Sequence, residues 1–474
     1  MRMFILSATL LLLEFLPAYS TTWPVGPTRT YTAPSKVSAL VENGDTVAID
    51  AGVYTLDVTR WTASNLVLRG IGGYAHLNAG KTSFGGKAIW VISGNNTTVE
   101  SVEFSDCSCP DHNGAGIRQE GNNLTVRGCY FHDNEDGILG GGDATSSLVI
   151  EHSEFSHNGF GDGYSHNLYI GNIYSLTFQF NYSHGAVIGH ELKSRAHRNY
   201  ILYNRISNEA TGTASREIDL PNGGTAIIIG NEIQQGSQGT NSGIIGYGLE
   251  GLSNPTPHRL TLVYNTIVNE KGSGTFVAVQ EGSEFFKSLG NIFAGPGTLL
   301  SGSAYGLDTV GNLALSVSAC GFVDPSNYDY HLASSSPLID QGTDPGSEGT
   351  YSLAPASEYL HPASGEGRAI NGGMDIGAHE YHGAAGIAVH AVDAVVIDIR
   401  PNPFSSNAII SCSVLPEHSL LIISDAMGND IRRISLKETG SALISRDGLP
   451  AGIYFGRIIG SGGNIVGMAR FVIE

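Results

Sequence analysis

The chain has 474 residues, of which 63 are glycine and only 15 % are charged. This length is too great for one ordinary compact domain unless the fold is a repeat, and the glycine content indicates a turn-rich β structure with many tight corners. The net charge of −19 argues against general nucleic-acid binding, which needs basic stripes on the protein surface.

Residues 1–20 have the pattern of a secretory signal peptide. Arg2 supplies the positive start, residues 4–16 are mostly apolar, and Ala18-Tyr19-Ser20 is a small-residue cleavage site. The apolar run is too short to span a membrane, and no later run is long enough. We therefore expect a secreted or cell-surface protein without a membrane span.

A short motif returns along the chain from about residue 95, mostly at steps of 24–27 residues, or at twice that across one degenerate turn near Tyr182. Its copies are Val102-Glu103-Phe104, Cys129-Tyr130-Phe131, Ser153-Glu154-Phe155, Asn204-Arg205-Ile206, Asn231-Glu232-Ile233, Asn265-Thr266-Ile267 and Asn291-Ile292-Phe293. Each unit holds three short alternating strands between Gly, Asn, Asp and Ser corners. One longer step, from 233 to 267, predicts an inserted loop around 251–258.

One such unit cannot bury its apolar face alone, but stacked coils can, because each strand pairs with its equivalent one turn away. The sequence therefore predicts an all-β protein whose residues 21–384 form a right-handed parallel β-helix, a pectate-lyase-like solenoid. Asparagine recurs at one corner and fits an internal ladder of side-chain amides; its members are Asn204, Asn231, Asn265, Asn291 and Asn312.

The five cysteines are too few for a disulfide framework in a chain of this size. Cys107, Cys109 and Cys129 lie in neighbouring repeats. A bridge from Cys129 to either of the other two and a column of buried thiols both stay open.

The solenoid is predicted to end near residue 384, with a linker at 385–394 and a second domain at 395–474. This domain contains Pro401-Asn402-Pro403-Phe404, an Asp-x-x-Gly turn at 425–428 and Leu449-Pro450-Ala451-Gly452-Ile453-Tyr454. These elements, in this order, resemble the C-terminal sorting domain of the type IX secretion system. The resemblance implies a small β-sandwich and an interaction with that secretion machinery.

Basic residues are concentrated in one region of this acidic chain. Five of them fall within 24 positions, where the overall content of 25 in 474 predicts about one: Lys193, Arg195, Arg198, Arg205 and Arg216. Such a cluster is either an ion-paired structural seam or a site for an acidic ligand.

Alignment of consecutive coils across this region places polar residues in columns. The aligned segments are Asp136-Gly137-Ile138-Leu139, His166-Asn167-Leu168-Tyr169, His190-Glu191-Leu192-Lys193, Arg216-Glu217-Ile218-Asp219 and Gly243-Ile244-Ile245-Gly246. The third position is always apolar and is predicted to point inwards. Strand alternation then predicts two outward columns, namely Asn167, Glu191 and Glu217, and Tyr169, Lys193 and Asp219. Arg195 continues the second column, and His166, His190 and Arg216 stand at the strand starts.

At these residues the chain resembles the chondroitinase-B-like alginate lyases of polysaccharide lyase family six. The resemblance rests on Glu191-Leu192-Lys193-Ser194, Asn199, the adjacent Tyr203-Asn204, and Arg216 about one coil later. It implies that Lys193 is the base and Arg216 the partner acid or charge stabiliser. The chain departs from the family pattern where the calcium carboxylates would stand, at Ile188, and after Arg216, where it continues Glu-Ile-Asp.

Cleavage of a uronate-containing polysaccharide by β-elimination needs such a set of residues, because a base must remove the proton beside a carboxylate that a cation neutralises. We expect Lys193, Arg216, His166 and His190 to be catalytic, and Tyr169, Arg195 and Asp219 to bind an acidic polysaccharide. Crowding with Arg195 and Arg216 would favour the neutral amine of Lys193. Oxygen atoms of Asn167, Glu191 and Glu217 would suit a calcium ion.

Other interpretations stay open. The charged columns can be cross-strand ion pairs, and the two histidines can simply cap turns. A pectin-type glycoside hydrolase would need paired outward carboxylates, which Glu191, Glu217 and Asp219 could supply. A non-catalytic carbohydrate-binding surface protein is the third possibility, since fold alone does not choose. In each case we expect a monomer.

Overall fold

The computed structural model describes residues 20–382, 397–400, 402, 404–412, 419–424, 430–436, 441–459 and 465–473. The expected signal peptide apart from Ser20, the 385–394 linker, the 425–428 turn, Pro401 and Pro403 lie outside these residues. The chain divides into two compact units, residues 1–381 and 382–474. Within the described ranges, no helix is both long and apolar enough to cross a membrane.

The first unit is a right-handed parallel β-helix, which confirms the predicted fold class. Its 29 described strands form one continuous sheet that winds around the core in three parallel ladders. The first ladder is built from Thr59–Trp61, Ala88–Ile92, Ala115–Gln119, Asp136–Leu139, Leu168–Ile170, Leu192–Ser194, Ile218–Leu220, Gly243–Tyr247 and the starts of Thr275–Leu289 and Thr298–Val310.

The second and third ladders complete each coil. The second contains Thr22–Val25, Thr46–Thr55, Val67–Asn78, Thr97–Glu100, Leu124–Arg127, Ser147–Glu151, Ser175–Gln179, Arg198–Leu202, Thr225–Ile229, Arg259–Val263 and the ends of the two long strands. The third begins with the ends of Thr46–Thr55 and Val67–Asn78 and continues through Val102–Ser105, Tyr130–His132, Glu154–Ser156, Tyr182–His184, Arg205–Ser207, Glu232–Gln235, Thr266–Asn269, Ile292–Ala294 and Leu313–Leu315.

Inward-pointing side chains stack along the axis of the β-helix. Phe104, Phe131 and Phe155 lie on consecutive coils with ring centroids 4.9 Å apart and nearly parallel planes. This distance matches the roughly 4.8 Å between paired strands. Side chains at equivalent positions on successive coils therefore contact each other, and similar apolar side chains pack well in this way. This explains the apolar periodicity of the sequence.

The predicted asparagine ladder lies at the corner between the second and third ladders. Asn231 Oδ1 accepts hydrogen bonds from both the backbone N–H and the side-chain amide of Asn204, each at 2.9 Å. The same pair of hydrogen bonds links Asn231 to Asn265 and Asn265 to Asn291. The ladder begins one coil earlier than predicted, at Asn181. It satisfies polar backbone groups that the corner would otherwise bury unpaired.

Residues 317–381 follow the last coil and pack back along the side of the β-helix, where Ala363 O lies 3.2 Å from His152 and Ala356 N–H donates to the Tyr203 hydroxyl at 2.9 Å. They form the 3₁₀ helices Val317–Ala319 and Pro325–Asn327 and three short antiparallel pairs: Phe322–Asp324 with Asp329–Leu332, Ser347–Glu348 with Tyr351–Ser352, and Ser357–Leu360 with Ser364–Gly367. Another 3₁₀ turn, Pro34–Lys36, lies near the start of the solenoid. His379 joins this segment to the β-helix through Glu232 Oε1 at 2.5 Å. Within the segment, His379 lies 3.3 Å from Glu358 Oε2, and Arg368 binds Glu380 at 2.7 Å. All of these charged side chains are buried.

The second unit contains two antiparallel sheets. One consists of Ile397–Arg400, Asn407–Cys412 and Ser441–Ser445, and the other of Leu420–Ser424, Asp430–Ser435, Gly452–Ile459 and Ile465–Ile473. Phe404, Ile410, Tyr454 and Phe471 belong to their common apolar core. Elsewhere in the described chain, Cys107, Cys109, Cys129 and Cys320 are free and buried, which agrees with the thiol alternative.

Candidate functional site

The predicted column of Tyr169, Lys193 and Asp219 lies on the outer face of the first ladder. Strand register pairs Tyr169 with Lys193, Lys193 with Asp219, and Asp219 with Gly246 on successive coils. Within these short strands side chains alternate between core and exterior. The predicted alternation therefore holds for this column. The polar groups of the column lie close to Arg195 and Arg216 on the same face.

The basic cluster divides among the three ladders of the fold. Arg198 lies in the second ladder, where it donates to the Tyr174 hydroxyl. Lys193, Arg195 and Arg216 form the candidate site with Asp219. Arg205 instead lies in the third ladder, where it is 8 % exposed and pairs with Glu209 at 3.3 Å. It is a structural residue.

Lys193 and Arg195 both bind the carboxylate of Glu250. Lys193 Nζ lies 2.8 Å from Glu250 Oε1, and Arg195 Nη2 lies 2.5 Å from Glu250 Oε2. Burial raises the pKa of Glu250, but the hydrogen bonds from these two cations outweigh it and hold the pKa below its ordinary value. The glutamate side chain is 46 % exposed, so the two cations form a carboxylate-binding position at the surface.

Arg195 also positions an aromatic ring beside this position. Its Nε donates to the Tyr169 hydroxyl at 3.0 Å, and its Nη1 donates to Asn222 Oδ1 at 2.6 Å. Asn222 in turn donates to Asn172 at 2.9 Å. The phenol oxygen accepts from Arg195, so its own proton is free to be directed towards a ligand.

Asp219 lies beneath the cations. It is 2 % exposed, and its oxygens lie 3.6 Å from Lys193 Nζ, 3.5 Å from Arg216 Nη1 and 3.7 Å from His190 Nε2. Burial raises the pKa of Asp219, although Lys193 and Arg216 oppose this effect. The aspartate therefore holds the cationic groups in place and is too deep for the substrate contact that the sequence suggested.

Glycines on the next coil leave the space that the Arg216 and Asp219 side chains fill. A Cβ at Gly246 would lie 2.9 Å from Asp219 Oδ1 and 3.2 Å from Arg216 Cδ, and one at Gly243 would lie 3.5 Å from Arg216 Nε. That Nε is buried and has no hydrogen-bond partner among the described residues. The Arg216 side chain as a whole is 22 % exposed, and a partly exposed guanidinium is suited to an anionic ligand.

His166 and His190 cap backbone groups of the following coils. His166 Nδ1 accepts the N–H of His190 at 2.9 Å, and His190 Nδ1 accepts the N–H of Arg216 at 3.1 Å. Burial, followed by nearby positive charge, lowers the pKa of His190 to about 3 and that of His166 well below its ordinary value. Both rings are therefore neutral, and each accepting nitrogen is occupied. This geometry favours the capping interpretation over the expected catalytic role.

The expected outward column of Asn167, Glu191 and Glu217 points into the interior. All three residues are 0 % exposed. The strands begin only at Leu168, Leu192 and Ile218, so the second aligned position lies at a corner and escapes strand alternation. The prediction of an outward column was wrong for this reason.

These interior residues form a second polar ladder. Asn158 donates to Asn167 Oδ1 at 2.9 Å, and Asn167 donates to Glu191 Oε2 at 2.6 Å. Ala186 N–H donates to Glu191 Oε1 at 2.9 Å, and Asn208 donates to Glu217 Oε1 at 2.9 Å. Burial raises the pKa of Glu191 to about 7 and that of Glu217 well above its ordinary value.

This donor set does not fit the expected calcium ion. The acceptor oxygens of Asn167 and Glu191 already bind N–H and O–H donors of the fold, whereas calcium takes six to eight free oxygen ligands. Carboxyl groups with raised pKa values are also poor ligands until they lose a proton. We therefore assign calcium no role in the chemistry of the site.

Sequence reasoning missed Glu250 and Asn222, which complete the site. Glu250 lies in the loop between Gly243–Tyr247 and Arg259–Val263, where its N–H donates to Pro221 O at 3.1 Å. The long step from 233 to 267 signalled an insertion there. It did not show that the insertion turns back over the preceding coils.

Comparison with known proteins matches residues 51–201 to the family described as right handed beta helix region. Among solved structures, the chain is similar to the pectate lyase Pel9A with 13 % identity and a TM-score of 0.45; the alignment covers 76 % of this chain and 96 % of that one. It is also similar to a mutant of the PL6 family alginate lyase AlyGC, with 14 % identity and a TM-score of 0.32, over 62 % of this chain and 40 % of that one. No curated protein matches the sequence.

Proposed function

We propose that the protein is a secreted polysaccharide lyase that cleaves a uronate-containing polysaccharide by β-elimination. This proposal rests on one observation, namely that Lys193 and Arg195 both bind the Glu250 carboxylate. Lys193 lies within the strand Leu192–Ser194 and Arg195 directly follows it, and together the two cations present a position for a carboxylate. A uronate carboxylate has the same chemistry as the glutamate that now occupies it.

In this reaction the substrate displaces Glu250. Arg195 and Arg216 neutralise the sugar carboxylate, which makes the proton on the adjacent carbon more acidic. Lys193 takes that proton, the neighbouring carbon–oxygen bond of the glycosidic linkage breaks, and a carbon–carbon double bond forms. The Tyr169 hydroxyl gives its proton to the leaving oxygen. Lys193 takes part in this step as the neutral amine and becomes the ammonium.

A pectin-type hydrolase is less well supported. Hydrolysis needs two carboxyl groups on either side of the scissile bond, and two of the three expected carboxylates, Glu191 and Glu217, are fully buried. Asp219 is also nearly inaccessible. A binding-only protein remains an outcome of the test below.

Secretion is part of the proposal and rests on the N-terminal signal pattern and on the type IX sorting motifs. Gly452-Ile453-Tyr454 begins the strand Gly452–Ile459 of the second unit, and Phe404 packs in its core. Fractionation of a host that has the type IX machinery tests this part. Export of the full chain and retention of a chain that ends at residue 394 are expected.

The activity is tested on alginate, pectate and sulfated glycosaminoglycans, with ultraviolet absorbance of the new conjugated double bond as the readout. The parent is compared with Lys193→Ala and with Lys287→Ala, a control lysine of similar exposure that lies 3.7 Å from Asp308. Absorbance that is lost only in Lys193→Ala supports the lyase. New reducing ends without absorbance would indicate a hydrolase, and retention on a substrate gel without cleavage would indicate a binding protein.

A further inference from the structure

Three side chains from three consecutive coils converge on the third ladder, away from the Lys193 column on the first. Glu103 Oε1 lies 3.4 Å from His76 Nε2 and 3.0 Å from His132 Nε2. One ligand atom from each residue lies within 4.8 Å of the other two, and within the described ranges this is the one group of His, Cys, Asp or Glu residues that converges in this way. The proposed lyase chemistry uses none of the three.

The spacing of these atoms is that of metal ligands. Zinc binds histidine nitrogen and carboxylate oxygen at about 2.0–2.2 Å, so neighbouring ligands at the corners of a tetrahedron are roughly 3.3–3.6 Å apart. The observed 3.0 and 3.4 Å approach this separation, and the ligand atoms of His76 and His132 lie within 4.8 Å of each other. Two imidazoles and one carboxylate form a donor set found in zinc sites that keep one position open.

A hydrogen bond orients one of the histidines for this role. His132 Nδ1 lies 2.7 Å from Asp133 Oδ2. When Nδ1 donates its proton to that carboxylate, the lone pair of a neutral imidazole remains on Nε2 and faces Glu103. Metal-bound histidines commonly donate their second nitrogen to a carboxylate in this way. The carboxylate–histidine arrangement is therefore already in place.

The local charge also favours a cation. Glu103 and Asp133 each bring a negative charge to the two imidazoles, and the adjacent Asp106 is paired with Lys81 at 2.9 Å. Without a cation, the lone pairs of His132 Nε2 and Glu103 Oε1 would face each other at 3.0 Å unless a proton lies between them. A divalent ion satisfies both atoms and His76 Nε2 at once.

The backbone holds the cluster, and the surface leaves it accessible. His76, Glu103 and His132 lie in the strands Val67–Asn78, Val102–Ser105 and Tyr130–His132, and register pairs His76 with Glu103 and Glu103 with Tyr130. The three side chains are 21 %, 19 % and 18 % exposed, so an ion can enter from solvent. Ser105 Oγ lies 2.8 Å from His76 Nε2, where it or a water molecule can fill a fourth position.

We propose that His76, Glu103 and His132 bind a zinc ion that links three consecutive coils near the start of the β-helix. The competing arrangement is a chain of hydrogen bonds in which a proton takes the place of the metal. The two arrangements differ in their response to zinc, so they can be distinguished without a substrate assay.

The test uses the exported chain without a histidine tag, stripped with chelator and then titrated with zinc chloride by calorimetry. One equivalent of zinc is expected to bind, and cobalt(II) at the same site is expected to give the visible bands of a tetrahedral complex. His132→Ala and Glu103→Gln are expected to lose this binding. Asp133→Asn is expected to weaken it by roughly 10–100-fold, as for other partners of metal-bound histidines.

His184→Ala is the matched control. His184 pairs with Glu154 at 3.1 Å and stacks on Tyr182 at 4.0 Å, much as His132 pairs with Glu103 and stacks on Tyr130 at 4.4 Å. Among the residues that the structure describes, His184 belongs to no converging group. This variant is expected to bind zinc like the parent and to show the same rise in Tm with zinc. Circular dichroism checks that each variant is folded. Absence of stoichiometric binding in the parent, or equal binding in folded Glu103→Gln, overturns the proposal.

Discussion

Lys193 Nζ lies 2.8 Å from Glu250 Oε1, although 57 positions separate the two residues in the sequence. The glutamate comes from an inserted loop and also binds Arg195. Under the proposed function, Glu250 occupies the position at which a substrate carboxylate is neutralised. Glu250 is therefore expected to compete with substrate.

Replacement of Glu250 by glutamine is expected to lower KM for an acidic polysaccharide. The neutral amide keeps the size of the side chain but loses most of its attraction for Lys193 and Arg195, so about 1–2 kcal/mol of competition is removed and kcat/KM rises by roughly 5–30-fold. Initial rates by ultraviolet absorbance measure this effect. Glu348→Gln, which loses a comparable pair with Arg259 at 2.9 Å, serves as the control and should leave the rates unchanged. A fall in kcat/KM for Glu250→Gln would contradict the competition.

Replacement of Arg195 by lysine is expected to raise KM more than it lowers kcat. Arg195 binds Tyr169, Asn222 and Glu250 through three different nitrogens, and a lysine ammonium cannot reproduce this planar fork. Loss of one charged hydrogen bond costs about 1.5–3 kcal/mol, which corresponds to roughly 10–150-fold in kcat/KM. Arg259→Lys is the control on another face. An unchanged KM would show that Arg195 does not touch the substrate.

Calcium is expected neither to raise Tm nor to change the cleavage rate. The expected calcium ligands Asn167, Glu191 and Glu217 are buried and already bind donors of the fold. Thermal unfolding and initial rates after EGTA treatment, with calcium alone added back, test this expectation. A calcium-dependent rise in Tm that is absent in Glu191→Gln would place the ion in the interior ladder after all.

Stability is expected to fall at alkaline pH through His379. Burial lowers the pKa of this histidine, but hydrogen bonds to Glu232 and Glu358 outweigh it and raise the pKa to about 9. Because the folded value exceeds the unfolded value of about 6.5, the contribution is fully present below pH 6.5 or so and is lost as pH rises through about 9. It amounts to at most about 3 kcal/mol.

Urea unfolding between neutral and alkaline pH measures this contribution. In His379→Gln the difference in unfolding free energy from the parent should shrink as pH rises, because only the parent loses the charged pair. His112→Gln, in which the histidine side chain is 44 % exposed, controls for loss of an ordinary histidine. A pH-independent difference would mean that His379 is not charged in the folded protein.

Replacement of Asn231 by alanine is expected to cost several kcal/mol of unfolding free energy. The change leaves the N–H and the amide of Asn204 without their common acceptor, and each buried unpaired polar group costs about 1–3 kcal/mol. Asn113→Ala removes an exposed bond to Asp111 O at 3.2 Å and is the control. Thermal unfolding of both variants compares the costs, and equal Tm values would show that the ladder contributes little.

The fold could be predicted because its causes are local and repeated. The 24–27-residue period, the apolar third position and the recurrent asparagine each describe what one coil needs from the next. The same reasoning placed Tyr169, Lys193 and Asp219 in one column, since alternation holds within a strand. It failed for Asn167, Glu191 and Glu217 because their positions lie at corners, and no sequence rule marked where each three-residue strand begins.

The sequence by itself determined that the chain forms a β-helix, since periodic patterning is a property of neighbouring residues, and that its basic residues are concentrated in one stretch. Only the tertiary structure decided how the cluster is used. The return of the loop with Glu250, the burial of Asp219 and the occupation of both histidines by backbone N–H groups depend on contacts between coils 24 to 57 residues apart. The stacking of the coils sets these contacts, and many different spacings in the sequence are compatible with the same stacking.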